Sequence, residues 1–143
     1  MSSSDLTRFI DLYHLALDAF FTGDAEPVKQ LFSRRDQATL ANPFGPPARG
    51  WAQIERAIDG AVSNYRDGRD LRFERLSEDA SADLAYIFEI ERVRARLAGS
   101  DDLASVALRT TTVLRLEAGG WRIDHRHADP ITSPRPPESV LER

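Results

Sequence analysis

From residue 71 onward the apolar residues of this chain recur at every second position in four successive segments, the period of strands rather than helices. The segments are Leu71 and Phe73, then Leu84, Tyr86, Phe88 and Ile90, then Leu108, Thr110, Thr112, Leu114 and Leu116, and last Trp121, Ile123, His125 and His127. The breaks at Ser77 to Ser81, Gly99 to Asp102 and Gly119-Gly120 have the composition of tight turns, so neighbouring strands are expected to pair antiparallel.

Ahead of that run the period is helical. Leu6, Phe9, Ile10, Tyr13, Leu17, Phe20 and Phe21 form one stripe of a first helix, with serines in front of it suited to capping. Gly23 can end that helix, and Asp24 can cap a short second one with Pro27 in its first turn and Val28, Leu31 and Phe32 inward. A strand from Gln37 to Asn42 is expected to run into the rigid loop of Pro43, Gly45, Pro46 and Pro47. A third helix starts at Trp51, carries Ile54, Ile58, Ala61, Val62 and Tyr65, and closes at Asp67-Gly68. Helices followed by a long antiparallel sheet predict an α+β fold, with three N-terminal helices packed on one face of a strongly curved, mostly antiparallel sheet and a pocket beneath them. One domain over residues 1–132 accounts for the pattern, and the proline-rich residues 133–143 read as a tail.

Composition narrows the function. The net charge of −4 comes from scattered acids and bases, which leaves no positive field for a phosphate backbone and argues against nucleic acid. The absence of cysteine removes thiol nucleophiles, disulfides and thiolate metal sites. No stretch approaches the roughly 20 apolar residues that a membrane span needs, nor is there a signal-like start, so a cytoplasmic protein is expected.

The order helix, helix, strand, helix, four strands, together with LANPFGPPARGW at residues 40 to 51 and GGWRIDHRHADPI at residues 119 to 131, resembles the SnoaL-like branch of the nuclear-transport-factor-two-like superfamily. The Gly-x-Trp ending with two spaced histidines is also similar to the association domain of calcium/calmodulin-dependent protein kinase. The resemblance implies a cone-shaped α+β fold, a pocket between sheet and helices, and a homodimer formed through the outer sheet face. It does not transmit one function, because the superfamily resembles a scaffold for isomerases, cyclases, hydrolases, dehydratases and binding modules. The general-base aspartate of the ketosteroid isomerases matches Asn42 here, and an amide cannot abstract a proton near neutrality. By the same likeness Leu15 and Thr112 stand where those isomerases hold a tyrosine and a protonated acid, so that mechanism is not expected.

The last strand is the place where chemistry is expected. Strict alternation turns Trp121, Ile123, His125, His127 and Asp129 to one side, and that side is read as inward. An imidazole backed by a carboxylate can move a proton near neutral pH, which makes His127, with Asp129 or His125, the candidate catalytic group. The bland alternative is that both histidines merely fill a polar wall. A zinc site is set aside because no further ligand cluster accompanies them. The apolar set Leu84, Tyr86, Phe88 and Ile90 is read as lining the pocket, which leaves Glu89 and Glu91 outside beside Arg109, Thr111 and Arg115. A slip of one residue would bury both acids and make them rivals of the histidines. Tyr13, Asn42, Phe44, Trp51, Tyr86, Phe88, Thr110 and Thr112 are the expected ligand-binding residues. The run Arg92 to Arg96 is read as solvated charge. Two functions stay open: a cofactor-free cyclase, isomerase or hydratase acting on a small, largely apolar carbonyl compound, and a non-catalytic dimeric module that binds a small apolar molecule or a protein.

Overall fold

In the computed structural model, which describes residues 3–143, helix α1 runs over Ser3–Phe21 and buries Phe9, Ile10, Tyr13, Leu17 and Phe21 along the expected stripe. The capping expected of the opening serines falls at or beside Met1 and Ser2, outside the described residues. Gly23, at φ +110°, turns the chain out of α1. Asp24 Oδ1 then accepts the Glu26 N–H at 3.1 Å where α2 (Glu26–Leu31) begins. Short strands β1 (Thr39–Ala41) and β2 (Ala48–Arg49) bracket the proline loop, and α3 (Trp51–Val62) buries Ile54, Ile58 and Ala61.

The rest is sheet: β3 (Tyr65–Ala80), β4 (Leu84–Leu97), β5 (Leu103–Glu117) and β6 (Gly120–Asp129), in the order β2-β1-β6-β5-β4-β3. Every pairing is antiparallel except that of β1 with β6. The helices cover one face of this curved, unclosed sheet, and the α+β cone expected from the sequence is what forms. Residues 130–143 lie beyond the last strand and are all exposed, with one 3-10 turn at Pro137–Val140.

The third helix stops three residues short of Tyr65, which instead opens β3. Asp67 and Asp70 sit at φ 59° and 58°, and the β3–β4 register shifts around them. Such irregularities bend a strand and raise its twist, and here they carry β3 around the end of α1. The approach is close enough that a Cβ on Gly68 would fall 2.6 Å from the Phe21 Cβ. Beside it the Phe21 and Tyr65 rings meet edge to face, 4.9 Å between centroids.

Two strand parities differ from expectation, and both decide the site. In β4 the residues facing the helices are Ala85, Ile87, Glu89, Glu91, Val93 and Ala95, all buried, while Leu84, Tyr86 and Phe88 point to the helix-free side with Arg92 and Arg94. The apolar run 84–90 suggested the opposite, but the strand continues to Leu97, and an inward register of that run would have carried Arg92, Arg94 and Arg96 into the core as well. In β6, Ile123 opposes Leu114 and His125 opposes Val113, so Asp124 is an extra residue, a β-bulge. Trp121 and Ile123 face inward as expected. After the bulge the parity inverts: Arg126 and Ala128 point in, and His125, His127 and Asp129 point out.

Candidate functional site

An arginine at the floor of the cone is the first consequence of that bulge. Arg126 is buried and forks onto the equally buried Glu91, Nη1 donating to Oε2 at 2.8 Å and Nη2 to Oε1 at 2.9 Å. Nη1 also donates to the Tyr13 hydroxyl at 2.6 Å, and that hydroxyl shares a 2.9 Å hydrogen bond with Thr112 Oγ1. Burial works against the Arg126 charge, but Glu91 and Tyr13 hold the guanidinium firmly protonated. Burial pushes the Tyr13 hydroxyl up, with Arg126 opposing. The four side chains come from α1, β4, β5 and β6, so the centre ties the helical layer to the sheet.

Glu89, next inward on β4, is 1% exposed and is held from two sides. His14 Nε2 lies 2.8 Å from Oε1, and Arg75 Nε donates to Oε2 at 2.9 Å. The His14 ring stacks on Phe73 with 3.6 Å between centroids. Burial acts to raise the Glu89 carboxyl, yet the bonds and charges of His14 and Arg75 outweigh it and hold it below the usual carboxylate range. Thr110 Oγ1 donates to the Glu89 carbonyl at 3.1 Å.

Beside the Arg126 centre lies a cavity of about 40 Å³, walled by Leu17, Phe21, Ile58 and Leu108 and closed by Asn42, Pro43 and Phe44. Its wall is apolar apart from Arg126, Asn42 and Tyr65. Burial pushes the Tyr65 hydroxyl up to about 12. The Asn42 amide is committed to local structure: Oδ1 accepts the Phe44 N–H at 2.8 Å and Nδ2 reaches the Ala57 carbonyl at 3.5 Å.

The expected trio does assemble, on the opposite side of the sheet. His127 Nε2 lies 3.0 Å from Asp129 Oδ2, and both Asp129 oxygens accept from Arg109, at 2.9 Å each. His125 Nδ1 is 2.7 Å from Thr39 Oγ1. With Phe88 and Thr111 they line an open depression of about 370 Å³. Burial lowers the His125 value, His127 adds to this and Asp124 opposes it. Burial raises the Asp129 carboxyl, but Arg109, the Ile131 N–H and His127 bring it below its ordinary value. With both carboxylate oxygens taken by Arg109, Asp129 is a poor metal ligand, and among the described residues no group of three or more metal-binding side chains forms.

Of the expected ligand-binding residues, Asn42 and Phe44 line the cavity, whereas Tyr13, Thr110 and Thr112 face the interior but spend their hydroxyls on the buried network. Tyr86 and Phe88 stand on the outer face, where Tyr86 OH meets Ser77 Oγ at 2.7 Å, because of the β4 parity. Trp51 is half-buried outside the cavity wall, with the Arg34 guanidinium 3.3 Å above its ring. Leu15 is 67% exposed, and Tyr13 is the α1 residue that reaches the centre. Arg126 and His14 are not singled out by the sequence, Glu89 and Glu91 are inward only in the alternative register, which is the one that forms, and Tyr65 is expected on the third helix rather than in β3. The arginine spacing at 92, 94 and 96 was the available signal for the two acids. Nothing in the pattern of β6 marks the bulge that delivers Arg126.

A cone of helices on a curved sheet with a walled interior is the nuclear-transport-factor-two-like architecture. Within it the chain belongs to the SnoaL-like domain family, whose model matches residues 10–132. Its structure is similar to that of a nuclear transport factor 2-like superfamily protein from Salmonella enterica, at TM-score 0.76 and 21% identity over 94% of each chain. A ketosteroid isomerase-like protein from Erwinia carotovora atroseptica is similar at TM-score 0.75 and 17% identity, over 91% of this chain and 96% of that one. A candidate calcium/calmodulin-dependent protein kinase type II association domain from Thiobacillus denitrificans is similar at 0.68 and 22%, over 88% and 94%. At these identities the likeness is one of fold. No curated protein matches the chain. No helix among the described residues is long and apolar enough to cross a membrane.

Proposed function

We propose that this protein binds a small, largely apolar molecule in the cavity beneath α1 and α3, and that His125 and His127 take no part in that site. The observation that carries this reading is the composition of the wall: Leu17, Phe20, Phe21, Val28, Ile58 and Leu108 surround a few polar atoms, the usual make-up of a ligand pocket. The volume of about 40 Å³ suits a few heavy atoms, against roughly 300–1,000 Å³ for drug-sized ligands. Phe44 is the natural gate, since it is 50% exposed and sits on the proline loop that closes the space. The cavity wall itself offers no evident agent of proton transfer: Asn42 is an amide, Glu91 is locked to Arg126, His125 and His127 lie across the sheet, and the His14–Glu89 pair stands outside the wall.

The test is a titration with dissolved xenon, a single apolar atom that suits so small a cavity, followed by NMR at the Leu17, Ile58 and Leu108 methyl groups. Saturable shifts confined to these groups are expected, with tighter binding in Phe44→Ala and unchanged binding in the His125→Ala, His127→Ala double variant. No shift in either the wild type or Phe44→Ala rejects the reading.

We also propose that two copies pair through the outer sheet face. Leu84 and Tyr86 are 40% and 37% exposed there, in line with Phe88 and Ile90, and no described helix covers them. Sedimentation should give a dimer that Tyr86→Glu dissociates; a monomeric wild type at 100-fold the working concentration rejects it.

A further inference from the structure

The proline loop and α3 bound a second space outside the cavity, an open groove of about 480 Å³. Gln53, Arg56, Ala57 and Gly60 recur at helical spacing along its α3 side, and the loop supplies the other side. Asn42, Phe44 and Ala61 border both spaces, so groove and cavity share a wall. Phe44 is the thin part of that wall, a ring 50% exposed that leans on Tyr65 with 5.7 Å between centroids. With Phe44 turned aside the two spaces become one site, apolar at its inner end and open to water at its outer end.

Arg56 is the one charged residue lining the groove, and it is free. Among the described residues as far as Asp129, every other arginine has a hydrogen bond or an ion pair, whereas Arg56 has neither. The acids that flank it on α3, Glu55 and Asp59, are taken by Lys29 at 3.7 and 2.6 Å. The polar neighbours are spent as well: Gln53 Oε1 accepts the Arg49 N–H at 3.0 Å, and Asn64 Nδ2 donates to the Gly60 carbonyl at 3.2 Å. A guanidinium presents a fork of donors that matches a carboxylate, and in an open groove the anion keeps part of its hydration. We infer that groove and cavity together take an apolar carboxylate, whose hydrocarbon end passes Phe44 into the cavity while its charged end stays in the groove on Arg56. A cation is repelled at that point, and a neutral end gains nothing from the charge.

This rests on the cavity being a binding site, which xenon tests by itself, and three probes of one chain length test the rest: hexanoate, hexanol and hexylammonium. Each is titrated at neutral pH and followed by NMR, at the Leu17 and Ile58 methyl groups for the cavity and at the Ala57 and Gly60 amides for the groove. Hexanoate should bind most tightly and hexylammonium least, with about three- to fivefold between steps, the size expected of an ion pair in contact with water. All three should move both sets of signals, and raising the salt should narrow the spread. Arg56→Gln should bring the three affinities within about twofold of one another, and Arg56→Glu should reverse their order, while xenon binds both variants as it binds the wild type. Equal affinities in the wild type, or an order that survives Arg56→Gln, overturn the carboxylate subsite and leave the cavity reading standing. Hexanoate shifts confined to the two amides overturn the joined site. Silence from all three probes in the wild type and in Phe44→Ala overturns the inference, and it overturns the cavity reading as well only when xenon is silent too.

Discussion

The two faces of one sheet carry the same kinds of side chain and do opposite things with them. On the inner face Arg126 and Glu91 form a bidentate pair shut away from water, tied to Tyr13 and Thr112. On the outer face Arg109 and Asp129 also form a bidentate pair, through Nε and Nη2 at 2.9 Å each, joined by His127, in partial solvent. The bond lengths are nearly equal, so the difference lies in the surroundings. An exposed pair is worth about 0–1 kcal/mol, whereas breaking a buried one costs about 3–5 kcal/mol because it strands a charge.

The sharpest way to break that comparison is to cut each pair in turn. Arg126→Leu or Glu91→Leu should each destabilise the protein by about 3–5 kcal/mol in urea unfolding, and the double variant should recover most of the loss. Arg109→Leu should cost less than about 1 kcal/mol. Equal losses on the two faces would erase the distinction. Next in size is Gly68→Ala, where the added methyl would meet Phe21 at 2.6 Å; a loss of about 1–3 kcal/mol is expected, as for other overpacked cores.

Acid stability separates the faces further. The Glu89 carboxyl sits below its unfolded value when folded, so its contribution is complete above that value, near 4.3, and fades as pH falls through the folded one. Glu89→Gln should therefore flatten the stability profile below about pH 4. Asp129 shifts in the same direction but stands near solvent, and Asp129→Asn should change the profile less. The smallest effect belongs to His125. Its folded value is depressed, so the unfolded chain holds more protons, and stability should rise with pH across the window below about 6.5. An NMR titration midpoint at or above 6.5 would contradict this.

Much of the architecture was legible because period and turns are local. The α1 stripe, the four late strands and the breaks at Gly99 to Asp102 and Gly119-Gly120 form close to where the sequence places them, whereas β3 runs on through the expected break at Ser77 and turns at 81–83. Tyr65 went from helix to strand because tertiary packing against Phe21, not local period, set where β3 begins. The site was less legible, since one-residue errors in parity move every side chain across the sheet. In β4 the signal was present, as three arginines share the parity of Tyr86 and Phe88. In β6 it was faint: only Ala128 and Asp129 depart from the alternation of RIDHRHAD, and Asp124, at the bulge, bonds to the distant Arg35 at 2.9 Å and to Arg115 of the neighbouring strand at 3.3 Å.

That extra residue gives the fold an unusual lever. A strand of fixed composition offers two different interiors, one lined by imidazoles and one by a guanidinium, and whether Asp124 joins the ladder or stands out of it as a bulge decides which. Descendants of such a chain could therefore swap the chemistry of the hollow without substituting any residue of the strand.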